Sequence, residues 1–283
     1  MAKRRKKSQP AARLTQPASN LRVNLPWLQR WQADFQPRQI EPSWVGLVPL
    51  LVLAFVLRSA VALSGDFIVH PDEIMQYLEM AHRSVFGNGV VNWEFFYGAR
   101  SWLLPGTVAM ILTLCDAIGL GSPEYYINIV KILFCALSLA IPWGMYHYTR
   151  RMFGETAGRV ALLAGVLWPE LIGFAHKPLT EFVATALICA ALGVAGRSRA
   201  ALFAAGALFA AGAAVRMQYL PAVGLLALAF LIAVPLRKWP LFAAGAALPV
   251  IGVAILEWAT WGYPFASYIA NFKVNLVLNP LRA

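Results

Sequence analysis

Acidic side chains are scarce in this chain: 13 Asp and Glu among 283 residues, against 24 Lys and Arg. Charge of either sign is thin too, at 13% of positions, where a soluble domain carries roughly a quarter. Cysteine is nearly absent. Cys115, Cys135 and Cys189 sit in apolar surroundings without ligand spacing, so no disulfide framework is implied and they read as small packing residues. Period-two alternation of apolar and polar residues is missing, which argues against an outer-membrane barrel. The start does not read as a secretory leader either. Residues 1–43 are polar, carry Pro10, Pro17, Pro26 and Pro37, and show no clear small-residue cleavage site. They read as a basic, mostly disordered cytoplasmic tail, with room for a short interfacial helix near Trp27–Trp31.

What fills the chain instead is hydrophobicity, at 59% of positions. It falls in blocks of roughly 16–23 residues, the length a helix needs to cross a bilayer. Clear blocks lie near 44–64, 127–148, 157–175, 179–196, 200–215, 218–235 and 240–258. Lipid-exposed backbone must bond internally, so these predict helices and a polytopic membrane protein. The net charge of +11 does not indicate nucleic-acid binding, because the cations sit at the ends of apolar blocks. The run Lys3-Arg4-Arg5-Lys6-Lys7 fits a tail near anionic lipid headgroups.

The positive-inside rule decides the remaining block, 102–120. If that block does not cross, Arg150, Arg151, Arg159, Arg197, Arg199, Arg237 and Lys238 share the cytoplasmic side with the tail. If it crosses, all seven land outside. The expected topology therefore has seven spans, an interfacial or re-entrant helix at 102–120, and an extracytoplasmic loop at 65–126. That loop holds seven of the 13 acids: Asp66, Asp72, Glu73, Glu79, Glu94, Asp116 and Glu124. Two cations stand out against this pattern. Arg216 lands on the outer side. Arg58 lies inside the first span and reads first as a buried partner for a loop acid.

The loop begins with His70-Pro71-Asp72-Glu73. Pro71 favours a helix start, and the two acids then occupy its first turn, where the helix dipole supports negative charge. A helix to about Phe86, stopped by Gly87-Asn88-Gly89, would align Asp72, Gln76, Glu79 and Arg83 on one side. Glu73, Tyr77 and Met80 would form the adjacent stripe. A carboxylate at such a start can serve as general base toward a hydroxyl, or it can simply cap the helix. His70 and His82 read as structural hydrogen-bonding groups, since no compact metal-ligand spacing surrounds them. Trp93, Phe95, Phe96, Tyr97 and Trp102 fit an interfacial belt, with sugar stacking as the rival.

The longer pattern is more specific. His70-Pro71-Asp72-Glu73, Gln76, Glu79, His82, Phe86-Gly87, Gly89, Trp93-Glu94 and Arg100-Ser101 together resemble the first luminal loop of glycosyltransferase family 22. Weaker likeness continues in His176-Lys177-Pro178-Leu179-Thr180-Glu181, at Arg216 and in Asn271–Asn275. The resemblance implies an all-α, GT-C-like helical bundle spanning 44–283. It also implies an inverting mannosyltransferase that uses a polyprenyl-phosphate sugar donor and a lipid or glycan acceptor within the membrane. Asp72 is then the first choice of catalytic base and Glu73 the second. His70, Gln76, Glu94, Arg100, His176, Lys177 and Arg216 are candidate substrate-binding residues. Arg216 could hold the leaving phosphate or could be a snorkelling interface arginine. No cofactor is expected, and a divalent metal lacks support. Family members usually run longer, so the resemblance also implies that the chain corresponds to their N-terminal part. Two rival readings are a transporter of lipid-linked intermediates and a non-catalytic family member. The first would call for inverted repeats with broken spans, which the sequence does not show.

Overall fold

The computed structural model describes residues 44–65 and 70–274. The tail 1–43, Asp66 and Asn275 lie outside the described residues. Every regular element among the described residues is helical. In chain order they are α1 (Trp44–Ser64), a π-helical turn (Glu73–Leu78) running into α2 (Glu79–Phe86), α3 (Trp93–Phe96), α4 (Leu103–Ala117), α5 (Pro123–Ser138), α6 (Ala140–Phe153), α7 (Glu155–Leu167), α8 (Pro169–Gly173), α9 (Thr180–Val194), α10 (Arg199–Val215), α11 (Leu220–Ile232), α12 (Trp239–Trp261) and α13 (Ala266–Phe272).

Among the described residues, three helical stretches are long and apolar enough to cross a membrane: Gly46–Ser64, Pro123–Phe153 and Leu236–Trp261. The other blocks read from the sequence form shorter helices. Leu103–Ala117, Thr180–Val194 and Arg199–Val215 have 15 to 17 residues, and Met217–Ile232 is of similar length. A 15-residue helix rises only about 22 Å, short of a hydrocarbon core of about 30 Å. The block near 157–175 is interrupted as well. Trp168 turns extended ahead of Pro169, and the chain restarts as the short α8.

Packing forms a row, α7 on α6, α6 on α9, α9 on α10 and α10 on α12, with α11 against α10. Glycines permit the closest crossings. A Cβ on Gly144 would overlap the Cys189 carbonyl, and Cβ atoms on Gly206 and Gly245 would overlap the carbonyls of Phe242 and Phe203. Such small-residue contacts are how helices associate where lipid removes the hydrophobic drive between them. Outward faces stay apolar. Val48, Val52 and Val56 on α1 and Leu248, Ile251 and Ile255 on α12 are exposed at helical spacing, which suits acyl chains.

The segment from the π-turn through α5 is built on its own apolar core. Tyr77, Ala81, Leu104, Val108, Leu112, Tyr126, Val130 and Phe134 pack with Leu179 and Val183 at the start of α9. Cys115 lies in this core and Cys135 in a neighbouring cluster, both as buried packing residues. Arg58 is fully buried, but among the described residues its bonds go to backbone. Nη2 donates to the Gly165 carbonyl at 2.9 Å and Nε to the Leu171 carbonyl at 3.4 Å. These oxygens flank the break at Trp168-Pro169, so Arg58 anchors an interrupted helix rather than pairing with a described loop acid.

The two ends of α9 differ in charge. Beyond its C-terminus, Arg151 donates to the carbonyls of Leu192, Gly193 and Ala195. Arg150 pairs with Glu155 at 2.8 Å, and Lys238 donates to the Arg197 carbonyl at 2.8 Å. The basic clusters of the short loops thus meet at one end of the row. The opposite end, where α9 begins at Thr180, meets the π-turn and Arg216.

Candidate functional site

Pro71 starts the loop helix as its rigid φ suggests. The amides of Ile74 and Met75 donate to its carbonyl at 3.2 and 3.0 Å. Gly87 ends the helix at φ 77°, with its N–H donating to the Arg83 carbonyl. Between these ends the first turn is π-helical, not α-helical. The expected stripe of Glu73, Tyr77 and Met80 is present and buried, whereas Gln76 leaves the expected stripe of Asp72, Gln76, Glu79 and Arg83 and turns inward with it. Glu73, Gln76 and Tyr77 turn inward, while Asp72 and Glu79 stay partly exposed and Arg83 is exposed. Single π-turns inside helices are rare and concentrate at functional sites.

The adjacent acids therefore have different surroundings. Glu73 is buried, and its Oε1 accepts from Lys177 Nζ at 3.0 Å, with Lys177 itself buried. Asp72 keeps 36% of its side chain exposed. Its carboxylate lies 3.4 Å from His70 Nδ1, and its backbone N–H donates to that nitrogen at 3.3 Å. Gln76 is buried beside Glu73, its Oε1 without a partner among the described residues.

Two further ion pairs frame the region. Glu94 accepts both Nε and Nη2 of Arg100, at 2.9 and 2.7 Å, the bidentate geometry that fixes a guanidinium plane. The N-cap Asn92 holds the short α3 in place by accepting from the Glu94 N–H at 3.1 Å. Arg216, extended at φ −135° between α10 and the next turn, pairs with Glu181 at 2.7 Å and donates to Thr180 Oγ1 at 3.3 Å. Thr180 Oγ1 also meets Tyr77 Oη at 3.0 Å. Burial raises the Tyr77 pKa, while Arg100, the Thr180 hydrogen bond and Arg216 oppose the rise. Tyr268, across the same cleft, is pushed up to about 12 by burial, with Glu257 adding to the effect.

The candidate residues thus divide among three clefts. Arg100 and Arg216 line a small cleft of about 40 Å³ with Tyr77, Ser101, Thr180 and Tyr268. Glu73, His176 and Lys177 line a mostly apolar cleft of about 460 Å³ with His82, Tyr126 and Lys131. His70 shares a third, of about 370 Å³, with Glu181. Asp72, Gln76 and Glu94 line none of these three. His82 bridges Tyr126 Oη at 2.9 Å and Asn88 Oδ1 at 2.7 Å, the structural role expected of it. Among the described residues, no three His, Cys, Asp or Glu side chains group as a metal site.

Sequence reasoning passed over Tyr77 and Thr180 as site residues and quoted Glu181 only within a motif. Glu181 carried a signal, since it is an acid in a chain with few of them, in the first turn of an apolar helix. Tyr77 carried none, because an aromatic on an inward helix face reads as core.

Residues 49–280 match the Alg9-like mannosyltransferase family. The chain belongs to that family. The chain is 32% identical over 105 residues to the mannosyltransferase APTG1 of Arabidopsis thaliana, covering 37% of this chain and 19% of that protein. It is 31% identical over 103 residues to GPI mannosyltransferase 3 of Drosophila melanogaster, covering 35% and 18%. It is 30% identical over 133 residues to GPI mannosyltransferase 3 of Yarrowia lipolytica, covering 47% and 26%. The matches thus span about a fifth to a quarter of these relatives' length. No solved structure gives a significant match.

Proposed function

We propose that the chain carries the catalytic loop of an inverting mannosyltransferase. It moves a mannosyl group from a polyprenyl-phosphate donor to a hydroxyl of a lipid or glycan acceptor at the extracytoplasmic membrane face. The observation that carries this reading is the different surroundings of the two neighbouring acids. Glu73 is committed to Lys177, whereas Asp72 remains accessible, with no lysine or arginine paired to it among the described residues. A general base must reach a substrate proton, so Asp72 is the base and Glu73 holds the Lys177 segment in place.

In the reaction, Asp72 takes the proton of the acceptor hydroxyl as its oxygen attacks the anomeric carbon. The bond from that carbon to the donor phosphate breaks, and the prenyl phosphate leaves with the electron pair. One displacement inverts the anomeric centre. Charge grows on the leaving phosphate, and fixed cations in a partly desolvated cleft stabilise it. Arg216 and Arg100 both line the small cleft and supply fixed cations there. The larger, mostly apolar cleft beside Glu73 and Lys177 suits a hydrocarbon segment. The extracytoplasmic placement is supported by the collection of basic loop residues at the other end of α9.

Asp72→Asn is expected to lower mannosyl transfer by about 10²–10⁴-fold without loss of folded protein, with Glu73→Gln losing less at fixed temperature. Initial rates with a prenyl-phosphate mannose donor measure this. Near wild-type turnover in Asp72→Asn would remove Asp72 from the reaction.

A further inference from the structure

The Thr180 hydroxyl has three polar neighbours. Tyr77 Oη lies at 3.0 Å, Glu181 Oε2 at 3.1 Å and Arg216 Nη1 at 3.3 Å. A hydroxyl offers one proton and two lone pairs, so three partners use its whole capacity. The directions then follow. A carboxylate oxygen accepts, so Thr180 gives its only proton to Glu181. A guanidinium donates, so Arg216 takes one lone pair. Tyr77 must therefore donate to the other and stay protonated. Burial of the Tyr77 phenol, which raises its pKa, keeps it in that form. Tyr77 and Thr180 are themselves 1% and 5% exposed, so water does not readily replace a missing partner.

We propose that Thr180 is the positioning residue of the anion-binding cleft: its saturated hydroxyl fixes the Glu181–Arg216 pair, with Tyr77 locking the Thr180 rotamer from the opposite side. The proposal rests on the reading of Arg216 as the cation for the donor phosphate. The network explains how an arginine already paired with an acid can serve that purpose. Glu181 and Thr180 occupy Nη2 and Nη1, which sets the guanidinium plane before any ligand arrives. Nε remains without a partner among the described residues. A pre-set plane loses less freedom on binding than a mobile one.

The test is equilibrium binding to the full chain in detergent, with farnesyl phosphate as probe and farnesol as its uncharged control. The ratio of the two affinities reports phosphate recognition and is insensitive to loss of the lipid-chain site. Wild type is expected to prefer the phosphate by about tenfold or more. Thr180→Val, close in shape but without the hydroxyl, is expected to lose most of that preference, and Thr180→Ser to keep it within about twofold. Tyr77→Phe is expected to reduce it a few-fold, and it decides the matter should Thr180→Val fail to fold. If Arg216→Ala abolishes the preference while Thr180→Val and Tyr77→Phe retain it, the positioning role is wrong and the phosphate reading stands. If wild type shows no preference, the phosphate reading is wrong and the positioning role falls with it.

Discussion

Glu73 and Lys177 are 104 positions apart and meet at 3.0 Å with both side chains buried. Desolvating two charges costs several kcal/mol, so such a pair adds little net stability, but removing one partner strands the other. Lys177→Met is therefore expected to destabilise the fold by about 3–5 kcal/mol, and Glu73→Gln combined with Lys177→Met to recover much of the loss. Thermal unfolding in detergent compares the two. Equal destabilisation in the single and double variants would show that Lys177 is held by something other than Glu73. No local pattern could have revealed this pair, because its members belong to motifs read independently. What was legible at this scale is the special character of the loop acids. The acids cluster just beyond an apolar run in a chain poor in them, and two of them, Glu73 and Glu94, are in ion pairs.

At the scale of elements, the loop helix was legible at both ends and misread between them. Pro71 and Gly87 act through fixed backbone preferences that need no tertiary context. The π-turn follows no such rule, and a face drawn with 3.6 residues per turn assumes it away. Arg58 was misassigned for a related reason. An ionisable residue within a span suggests a charged partner, yet the break at Pro169 frees the Gly165 carbonyl, which accepts from the Arg58 guanidinium. The glycines that seat α10 against α12 give a sharper expectation. Gly206→Ala would drive a Cβ into the Phe242 carbonyl, whereas Gly224 on α11 has nothing within 4 Å of that position. Gly206→Ala should cost about 1–3 kcal/mol. Gly224→Ala should be neutral or stabilise by up to about 1 kcal/mol. Melting temperatures of the two variants in the same detergent check the contrast, and a similar effect from both would mean that α10 and α12 are not in close contact.

For the whole molecule, hydropathy identified the helical segments but overstated how many are long enough to cross unaided. Among the described residues three qualify by length and composition, and two of the other blocks are bounded by breaks at Pro169 and Arg216, features whose consequence depends on neighbours. Side-selective labelling tests the expected topology. Cysteines at the exposed Ser84, in α2, and Ala200, at the start of α10, should react oppositely with a membrane-impermeant maleimide in intact cells. Ser84→Cys should label from outside and Ala200→Cys only after permeabilisation; labelling of both from outside would rule out the seven-span arrangement. The ends of α9 add a consequence for an energised membrane. One end gathers arginines and lysines from three short loops, with Glu155 as the acid paired there, while Glu73 and Glu181 pair with the cations at the other. Each elementary charge moved across a potential of 100 mV exchanges about 2.3 kcal/mol. In the proposed orientation, an inside-negative voltage would hold the arginine-rich end back while the loop crosses.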